Sequence, residues 1–586
     1  MKCPFALLTL SAVCFAFASC GDDEEPIEIQ PNPDPDPTPE DSGSVSVSNA
    51  CAGWPADYGG VMLQGFYWDS YTDSQWSYLE SQAEDIAPYF SLIWIPNSGN
   101  CGSGNSMGYL PLYFFNQQSS FGSEAQLRSL IQTYKDKGTG MIADVVINHH
   151  NSQSGWFDFP AETYNGQTYQ FTAQDVCKDD DGGKAATEAL AEGVSLSSNA
   201  DTGEGWDGCR DLDHNSANVQ RYCLAYLDFL KNDLGYAGFR YDMVKGYSSS
   251  FTALYNDSIN PRFSVGEYWD GNHSTVERWM QNTTKRDSIQ SGAFDFAFRY
   301  TCRDAVNNNK WSYLLNETSA TSLTYQRYAV TFVENHDTEY RSASAQQDPI
   351  KKDTLAVNAW LLANPGTPCV FYKHWQAYKR EIKLMIAARQ LVGITNQSGY
   401  ANRSNGINTY AARQITGSNG KLIVVVGPQC GDYAAPDGFT ELISGYHYRY
   451  LVSSDCDTSG WSAIVSRINE EEQTAPFEAH TATVYVKADF SPVYFYIWDS
   501  NDNTQLNGAW PGKLMTETIE KAGEMWYTQT VSIDAEGYYF NIIFNQGSGK
   551  PQTSDIGHIS SDKYFVATLS GSTINYTDVT SQYAGQ

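Results

Sequence analysis

The sequence predicts an α/β protein in which eight parallel strands alternate with helices, followed by two regions of antiparallel β-structure. Three observations carry this prediction. Apolar runs alternate with amphipathic helical patterns from Val61 onward, several of these runs end in a carboxylate, and short β segments replace this alternation after the helix Arg380–Leu391. Buried parallel strands are continuous apolar runs, and in a closed barrel their carboxyl ends surround the active site.

Eight runs have the length and apolar content of buried strands, with helical patterns between them. Val219, Tyr222 and Tyr226 share one face of such a helix, and Ser123 with Gln126 resembles a capping box at the start of another. Eight strand–helix units predict a (β/α)8 TIM barrel. The predicted strands are Val61–Trp68, Ser91–Pro96, Met141–Asn148, Gly238–Val244, Phe263–Trp269, Ala293–Phe298, Ala329–Glu334 and Pro368–Tyr372.

One connection in this pattern is too long for an ordinary loop. More than sixty residues, rich in Gly, Asp, Asn and Ser, separate Asn148 from the helix that starts near Ser216. Long excursions of this kind are usually functional. We therefore assign 149–211 to a domain inserted in a barrel made of 51–148 and 212–395.

The rest of the chain has short strand signals separated by turn residues, which is typical of antiparallel β-domains. A polar stretch around Glu470 divides this part of the chain in two. The predicted boundaries are 396–469 for a first β-sandwich, 470–481 for a linker and 482–586 for a second β-sandwich.

The N-terminus has the features of a targeting segment rather than of a folded domain. Lys2 precedes an apolar run, and small residues stand before Cys20. This pattern resembles a bacterial lipoprotein signal, with 1–19 removed and Cys20 lipidated. The alternative is an ordinary signal peptide in which Cys20 occurs by chance.

Acidic residues directly after Cys20 resemble the surface-export signal of Bacteroidetes lipoproteins, and Pro/Asp-rich 20–50 then forms an extended tether. The resemblance implies a protein anchored to the outer membrane at the cell surface. The net charge of −31 argues against nucleic acid and anionic membrane surfaces as partners.

Nine cysteines follow Cys20, and their spacing matches no zinc pattern. An exported protein can form disulfides. Cys177–Cys209 and Cys430–Cys456 are the two pairings that we consider, and the odd number leaves at least one thiol without an internal partner.

Four segments near predicted strand ends carry the chemistry. Three carboxylates brought together by strand ends, with Arg, Lys and His beside them, suit cleavage of a glycosidic bond. In order and content the four segments resemble the conserved regions of the α-amylase family, glycoside hydrolase family 13. They read Asp144-Val-Val-Ile-Asn148-His149, Gly238-Phe-Arg240-Tyr-Asp242-Met-Val-Lys245, Val265-Gly-Glu267-Tyr-Trp269 and Phe332-Val-Glu-Asn-His336-Asp337.

The resemblance implies a role for each carboxylate. Asp242 matches the nucleophile, and Arg240, two residues earlier, lies on the same side of the strand and would keep Asp242 ionised. Glu267 matches the general acid, which needs a raised pKa. Asp337 matches the third carboxylate, which orients substrate hydroxyls and stabilises the transition state.

Further residues match positions that contact sugar in this family. His149 and His336 would hydrogen-bond the sugar at the cleavage position, Tyr109 would stack on it, and Lys245 would contact the sugar on the leaving-group side. Trp68 would lie at the mouth of the cleft, with core packing as the alternative.

The resemblance also implies Ca2+, held by hard oxygen ligands. Asn148 would supply an amide oxygen, Asp201 and Asp211 carboxylates, and Glu204 and Gly246 backbone carbonyls. The alternative for Asp201 is a turn-forming residue. The nearby run Asp179-Asp-Asp181 could bind a second ion, but we favour a solvated loop.

The last β-region resembles starch-binding modules of carbohydrate-binding module family 26. Its aromatic strings include Tyr494-Phe-Tyr496-Ile-Trp498, whose alternate residues share one strand face. Tyr494, Tyr496 and Trp510 are the predicted stacking platforms, and the alternative is that they form part of the core.

Together these features predict a monomeric, retaining endo-α-1,4-glucan hydrolase that acts on starch and maltooligosaccharides. One alternative is a maltooligosaccharide-forming amylase or a transglycosylase of the same fold. Another is a non-catalytic starch-binding lipoprotein, which would not need all of Asp242, Glu267 and Asp337.

Overall fold

The computed structural model of the protein describes residues 53–342, 345–472, 479–500, 503–521, 523–535 and 537–583. The predicted signal peptide, Cys20, the tether and Cys51 lie outside these residues. Within the described ranges, no helix has both the length and the apolar character needed to cross a membrane.

Eight parallel strands close into a barrel, which confirms the predicted fold class. The first strand closes it, because Met62 is the register partner of both Cys369 in the last strand and Leu92 in the second. All eight strands end earlier than predicted, since the residues that follow them belong to loops or helices. The barrel strands are β1 Met62–Gln64, β2 Leu92–Ile95, β3 Gly140–Val145, β4 Gly238–Tyr241, β5 Phe263–Gly266, β6 Gly292–Phe294, β7 Ala329–Thr331 and β8 Thr367–Phe371.

The predicted sixth strand is wrong in its second half. Asp295 ends it by capping a helix, accepting a hydrogen bond from the Phe298 backbone N–H at 3.0 Å. An Asp before a run of aromatic residues is compatible with either a strand or an N-cap, and here the cap forms.

Helices surround the barrel, others lie in the insertion and after the barrel, and the predicted helical patterns are confirmed. Val219, Tyr222 and Tyr226 are buried on one helix, and the Ser123–Gln126 capping box is present. The helices are α1 Trp76–Ser81, α2 Ala83–Ile86, α3 Glu124–Asp136, α4 Lys184–Glu192, α5 Ala217–Asp228, α6 Ser249–Ile259, α7 His273–Asn282, α8 Phe296–Asn307, α9 Thr354–Ala363, α10 Tyr372–Ala377, α11 Lys379–Val392, α12 Trp461–Glu471 and α13 Thr580–Tyr583.

The inserted domain leaves and re-enters the barrel through a short antiparallel pair, His149–His150 with Arg210–Asp211. It also contains a hairpin of Glu162–Tyr164 with Gln167–Tyr169 and helix α4. The pair places His149 directly opposite Asp211. Residues near the end of β3 and residues at the end of the insertion therefore meet at the carboxyl edge of the barrel.

The expectation of a solvated Asp179–Asp181 loop is wrong for Asp180 and Asp181, while Asp179 is exposed. Asp180 is buried, and the Arg210 guanidinium forms ion pairs with Asp180 at 2.5 Å and Asp181 at 2.8 Å. Two of the three carboxylates in the run therefore form ion pairs with Arg210 inside the insertion.

Neither considered disulfide is present, because Cys177, Cys209, Cys430 and Cys456 are free thiols. In the second pairing the two thiols belong to different apolar clusters: Cys456 packs with the main core, and Cys430 packs with a smaller cluster around Ile423 and Val425.

The region after the barrel is one five-stranded antiparallel sheet in the order β9-β10-β11-β13-β12, rather than the two facing sheets that we predicted. Leu422, Val424 and Val426 pack into the main core, while Ile423 and Val425 form a small outer cluster. A barrel helix, α9, supplies the layer that a second sheet would have provided. The strands are β9 Gly399–Asn402, β10 Ala411–Thr416, β11 Lys421–Val426, β12 Phe439–Gly445 and β13 Tyr448–Ser453.

The predicted linker begins too early. Helix α12 includes Glu470 and Glu471, and the buried Lys383 ammonium pairs with Glu471 at 3.1 Å and Glu472 at 2.5 Å. The polar residues that we predicted to form a linker are thus the ion-paired end of a helix. Residues 473–478 lie outside the described residues.

The C-terminal region is a sandwich of two sheets around an apolar core, as predicted. One sheet has the order β17-β18-β14-β21-β22 and the other β16-β15-β19-β20. The strands are β14 His480–Ala488, β15 Tyr494–Asp499, β16 Lys513–Leu514, β17 Thr518–Lys521, β18 Glu524–Ile533, β19 Phe540–Asn545, β20 Ile556–Ile559, β21 Lys563–Ser570 and β22 Thr573–Asp578.

Candidate active site

A single buried guanidinium organises the carboxyl edge of the barrel. Arg240, on β4, donates from Nη1 to Asp144 Oδ1 and to Asp242 Oδ1, both at 2.6 Å. Its Nη2 lies 2.6 Å from Glu267 Oε1. Three carboxyl groups from three neighbouring strand ends therefore surround one cation, and the predicted side of the strand for Arg240 is correct.

Glu267 lies directly after β5 with little of its side chain exposed. Burial is the main cause that raises the pKa of Glu267, to about 8; Arg240 opposes this rise, and the carboxylates of Asp242 and Asp337 add to it. The Met243 backbone N–H donates to Glu267 Oε2 at 3.2 Å. At neutral pH this carboxyl therefore holds a proton that it can donate.

Asp337 lies in the loop after β7, and its surroundings shift its pKa in the direction opposite to that of Glu267. Burial alone would raise the pKa of Asp337, but His336 first, and then Arg240 and Arg341, reverse the effect and lower it. His336 Nε2 lies 3.0 Å from Asp337 Oδ2, and Arg341 lies 3.3 Å from Oδ1. Asp337 thus stays ionised beside a protonated Glu267.

Tyr109 and His336 connect these carboxylates. The Tyr109 hydroxyl lies 2.8 Å from His336 Nε2 and donates to Asp144 Oδ2 at 3.0 Å, while the Gln64 amide donates to His336 Nδ1 at 3.0 Å. The Tyr109 and His336 rings stack with centroids 5.4 Å apart. This network fixes a flat aromatic surface next to the reacting groups.

His149 is at the site, but both of its ring nitrogens contact protein. Nε2 donates to the Tyr109 carbonyl at 2.9 Å, and Nδ1 accepts from Asn148 Nδ2 at 3.3 Å. Burial lowers the pKa of His149, so the ring is neutral. Trp206 of the insertion packs on it with centroids 4.3 Å apart.

Trp68 and Lys245 lie at the periphery. Trp68 is half-buried and parallel to Tyr109, and the Arg341 guanidinium lies 3.9 Å above its ring. The Lys245 ammonium lies 3.5 Å from Asp270 and 3.6 Å from Glu204. Trp68 is therefore part of the cleft wall rather than of the closed core, and Lys245 extends between two loops.

The residues predicted to hold Ca2+ form a neighbouring group. Asn148 Nδ2 lies 3.4 Å from Asp211 Oδ1. Burial, followed by the carboxylates of Asp180 and Asp201, raises the pKa of Asp211 to about 8. Asp201 Oδ2 is buried and has no hydrogen-bond partner. Buried acidic oxygens with too little positive charge nearby fit a hard cation.

The two predicted carbonyl ligands lie on adjoining segments. The Glu204 N–H donates to the Lys245 carbonyl at 2.8 Å, which holds Glu204 against the turn that contains Gly246. A Cβ atom at Gly246 would come within 2.0 Å of Asn148 Oδ1, so only glycine allows this approach. The described residues contain no group of three or more His, Cys, Asp or Glu arranged for a metal.

The second candidate site is the outer face of strand β15. Tyr494, Tyr496 and Trp498 alternate with inward Phe495 and Ile497, as the residue spacing predicted. Trp510 is 42% exposed. Its ring meets Tyr496 edge to face with centroids 5.3 Å apart, and Tyr496 stacks on Trp498 at 5.4 Å. The three predicted platforms therefore form a shallow aromatic surface and are not core residues.

Comparisons with known proteins address both sites. Residues 101–379 match the model of the α-amylase catalytic domain, and 484–558 match that of starch-binding module 26. The chain is 27% identical over 361 residues to probable alpha-amylase 2 of Arabidopsis thaliana, covering 59% of this chain and 82% of that protein. It is 28% identical over 425 residues to a glucan 1,4-alpha-maltotetraohydrolase of Stutzerimonas stutzeri, covering 66% and 72%.

This chain contains an α-amylase catalytic domain and a starch-binding module. It is a glycoside hydrolase of the α-amylase type that hydrolyses starch. The fold agrees: an α-amylase from Malbranchea cinnamomea aligns with a TM-score of 0.51 and 16% identity, covering 69% of this chain and 97% of that one.

Sequence reasoning missed three residues of this α-amylase's catalytic centre. Asp144 lies in the first of the four motifs and has no predicted role there, yet it holds Arg240 and accepts a hydrogen bond from the Trp94 indole N–H at 3.0 Å. Met243 has φ +47 and aims its N–H at Glu267. Trp206 packs on His149 from the insertion. Only Asp144 had a detectable signal, because a carboxylate inside a buried strand requires a partner.

Proposed function

We propose that this α-amylase is a retaining endo-α-1,4-glucan hydrolase with Asp242 as nucleophile, Glu267 as general acid and base, and Asp337 as the group that orients substrate hydroxyls. The observation that carries the proposal is the shared guanidinium, since Arg240 contacts Asp242 and Glu267 at 2.6 Å each. Carboxylates on either side of one planar cation are close together. Retaining enzymes need a separation of about 5–5.5 Å, whereas inverting enzymes need room for a water molecule.

The chemistry follows from the different environments of the two carboxyls. Glu267 donates its proton to the glycosidic oxygen while ionised Asp242 attacks the anomeric carbon, forming a glycosyl ester and releasing the chain on the leaving-group side as an alcohol. Glu267, now ionised, accepts a proton from water as that water attacks the same carbon. Asp242 leaves as a carboxylate, and both groups return to their starting states.

Asp337 and the aromatic network support this step. An ionised Asp337 can accept hydrogen bonds from sugar hydroxyls that strengthen as positive charge develops on the ring. The Tyr109 ring, fixed by His336 and Asp144, offers the sugar a flat apolar surface. Neither group forms a covalent bond with the substrate.

A covalent intermediate tests the nucleophile. A fluorinated maltosyl fluoride that forms the ester faster than water cleaves it should add one glycosyl mass to the protein, and peptide mapping should place that mass on Asp242. Glu267→Gln is a suitable background, because an activated fluoride leaves without a proton from the acid. A label on any other residue would contradict the assignment.

Cleavage within the chain, rather than from its end, is the finer part of the proposal. The likeness to maltotetraohydrolases favours one alternative, an enzyme that releases short oligosaccharides of fixed length. A maltoheptaose derivative blocked at its non-reducing end separates the two. An endo-acting enzyme cleaves it, whereas an enzyme that counts from that end does not.

We also propose a structural Ca2+ ion at Asn148, Asp201 and Asp211, with the carbonyls of Glu204 and Gly246. The buried Asp201 oxygen without a partner and the raised pKa of Asp211 support a cation there. The ion would hold the end of the insertion against the barrel next to His149. Metal analysis of the purified protein should find Ca2+, with less in Asp201→Asn.

Attachment to the outer membrane at the cell surface through lipidated Cys20 is a further proposal, supported by the sequence of the leader alone. Cys20→Ala should move the protein from the membrane fraction to the soluble fraction, since the acyl chains would be its anchor. Protease treatment of intact cells would distinguish a surface position from a periplasmic one.

A further inference from the structure

The starch-binding module contacts the rest of the enzyme through a small cluster of tyrosines, which we call the tyrosine seam. It consists of Tyr378 before α11, Tyr446 in the β12–β13 turn, and Asp499, Tyr538 and Tyr539 of the module. The hydroxyls of Tyr378 and Tyr539 are hydrogen-bonded. The Tyr446 hydroxyl lies 3.3 Å and 3.4 Å from the two oxygens of Asp499, and its ring centroid lies 5.5 Å from that of Tyr538.

On the catalytic side of the seam, residues of the five-stranded sheet and of the barrel contact each other. Tyr446 stacks on His447 with ring centroids 3.8 Å apart, and His447 Nδ1 lies 2.6 Å from Asp353 Oδ1 in the loop before α9. The seam therefore joins the barrel, the five-stranded sheet and the module at one place.

A close backbone approach accompanies these polar contacts. Gly537 has φ +76, and a Cβ atom there would lie 3.0 Å from Leu355 Cδ2 and 3.4 Å from Tyr446 Cβ. Glycine satisfies both the left-handed conformation and the tight spacing. The module's loop is thus shaped to fit against α9 rather than merely lying near it.

The strands that carry the seam also carry the starch-binding face. Asp499 is the register partner of Phe540, at one end of the β15–β19 pair, and Tyr494 is the partner of Asn545 at the other end. Five residue steps span about 17 Å along a strand. Because the two strands belong to one hydrogen-bonded sheet, the position of the seam determines where Tyr494 and Tyr496 point.

We propose that the tyrosine seam holds the starch-binding face in a fixed orientation relative to the catalytic cleft, so that the module directs granule chains to the cleft instead of acting as a tether only. This inference rests on the proposed sugar-binding role of Tyr494, Tyr496 and Trp510. A flexible tether raises the local concentration of every chain within reach. A fixed orientation favours those chains that already lie along the cleft, as positioning does in catalysis.

The test opens the seam without changing either site. Tyr446→Ala/Tyr539→Ala in the full chain removes one tyrosine from each side of the seam, and with them the contacts to Tyr378, Asp499 and Tyr538 described above. Tyr446→Phe/Tyr539→Phe removes only the two hydroxyls, in case the first variant folds poorly. The matched control is Tyr433→Ala/Tyr527→Ala, which removes one half-buried tyrosine from the sheet domain and one from the module, away from the seam.

Three measurements are made on each protein: small-angle X-ray scattering, binding to starch granules, and hydrolysis rates on granules and on soluble maltoheptaose. We expect the alanine seam variant to have a larger maximum dimension, with maltoheptaose kcat/KM and granule affinity within about 2-fold of wild type. The rate on granules per bound enzyme should fall about 3-fold or more, with a smaller fall in the Phe variant and none in the control.

Two results would overturn the proposal. The first is an unchanged scattering profile in both seam variants, because the seam would then not fix the module. The second is an opened molecule that still digests granules at the wild-type rate per bound enzyme. Failure of the sugar-binding role itself would appear separately, as normal granule binding by Tyr496→Ala.

Discussion

The catalytic centre and the starch-binding face both contact the same glucan, yet the centre consists of buried charged groups and the face of partly exposed aromatic rings. The centre places Asp242, Glu267 and Asp144 around the buried guanidinium of Arg240. The face is a half-exposed surface of Tyr494, Tyr496, Trp498 and Trp510, in which the Tyr496 ring contacts those of Trp498 and Trp510.

The difference follows from what each site must do. Bond cleavage needs acidic groups whose protonation states are set before the substrate binds, and burial sets those states. Because buried charged groups depend on their partners, substitutions among them are poorly tolerated. Binding needs only apolar area of the right shape, and rigid rings provide it with little loss of entropy. We therefore expect all-or-none responses to changes in the centre and graded responses to changes on the face.

The largest effect should come from Asp242→Asn. The amide cannot form the glycosyl ester, so kcat on soluble starch should fall to less than about one per cent of wild type. Granule pull-down should be unchanged, because the face is intact. Residual activity above that level, after contamination by wild-type enzyme is excluded, would argue for a different nucleophile.

The two sites should also differ in how they respond to pH. Burial raises the pKa of Glu267 to about 8, so the acid is protonated below this pH and loses its proton as the pH rises through it. The kcat/KM for maltoheptaose should fall about tenfold per pH unit above 8, while granule binding stays level. A basic limb near the ordinary pKa of a glutamate would show that burial does not control this group.

A smaller, graded effect should follow from Tyr496→Ala. Loss of one stacking ring should weaken granule binding roughly 5-fold and leave maltoheptaose kcat/KM unchanged. Met525→Ala, at an exposed position on the other sheet of the module, is the matched control for lost apolar surface. Equal weakening in both variants would mean that the aromatic surface is not the binding face.

Chelation should act on the stability of the fold rather than directly on either site. A native-state ligand present at about 100 times its dissociation constant contributes about 2.7 kcal/mol, so removal of Ca2+ should lower the Tm by roughly 5 °C. Cleavage should weaken because His149 is paired with Asp211, whereas granule binding should remain. An unchanged Tm after verified metal removal would contradict the assignment of Asn148, Asp201 and Asp211.

Periodic and motif-bearing parts of the molecule could be predicted from the sequence. Buried strands read as apolar runs, so all eight barrel strands were found, and alternation along 494–498 placed Tyr494 and Tyr496 on the outer face. The catalytic motifs lie near strand ends, and for this reason their carboxylates meet at one edge of the barrel.

Contacts between distant segments could not be predicted in this way. The Asp179–Asp181 run looks solvated in the sequence because Arg210, the partner of Asp180 and Asp181, is about thirty residues away. Glu471 and Glu472 look like part of a linker because their partner, Lys383, lies on the barrel helix α11. Trp206 reaches His149 only after the insertion folds back. In each case burial of a polar or aromatic side chain depends on a partner that local sequence does not reveal.

The anomeric form of the first product tests the catalytic proposal most directly. Proton NMR should follow the hydrolysis of maltoheptaose at high enzyme concentration, within the first minutes and before mutarotation. With Asp242 as nucleophile and Glu267 as acid, two inversions at the anomeric carbon should give the α-anomer first. Initial appearance of the β-anomer would show a single inversion and would contradict the roles proposed for both carboxylates.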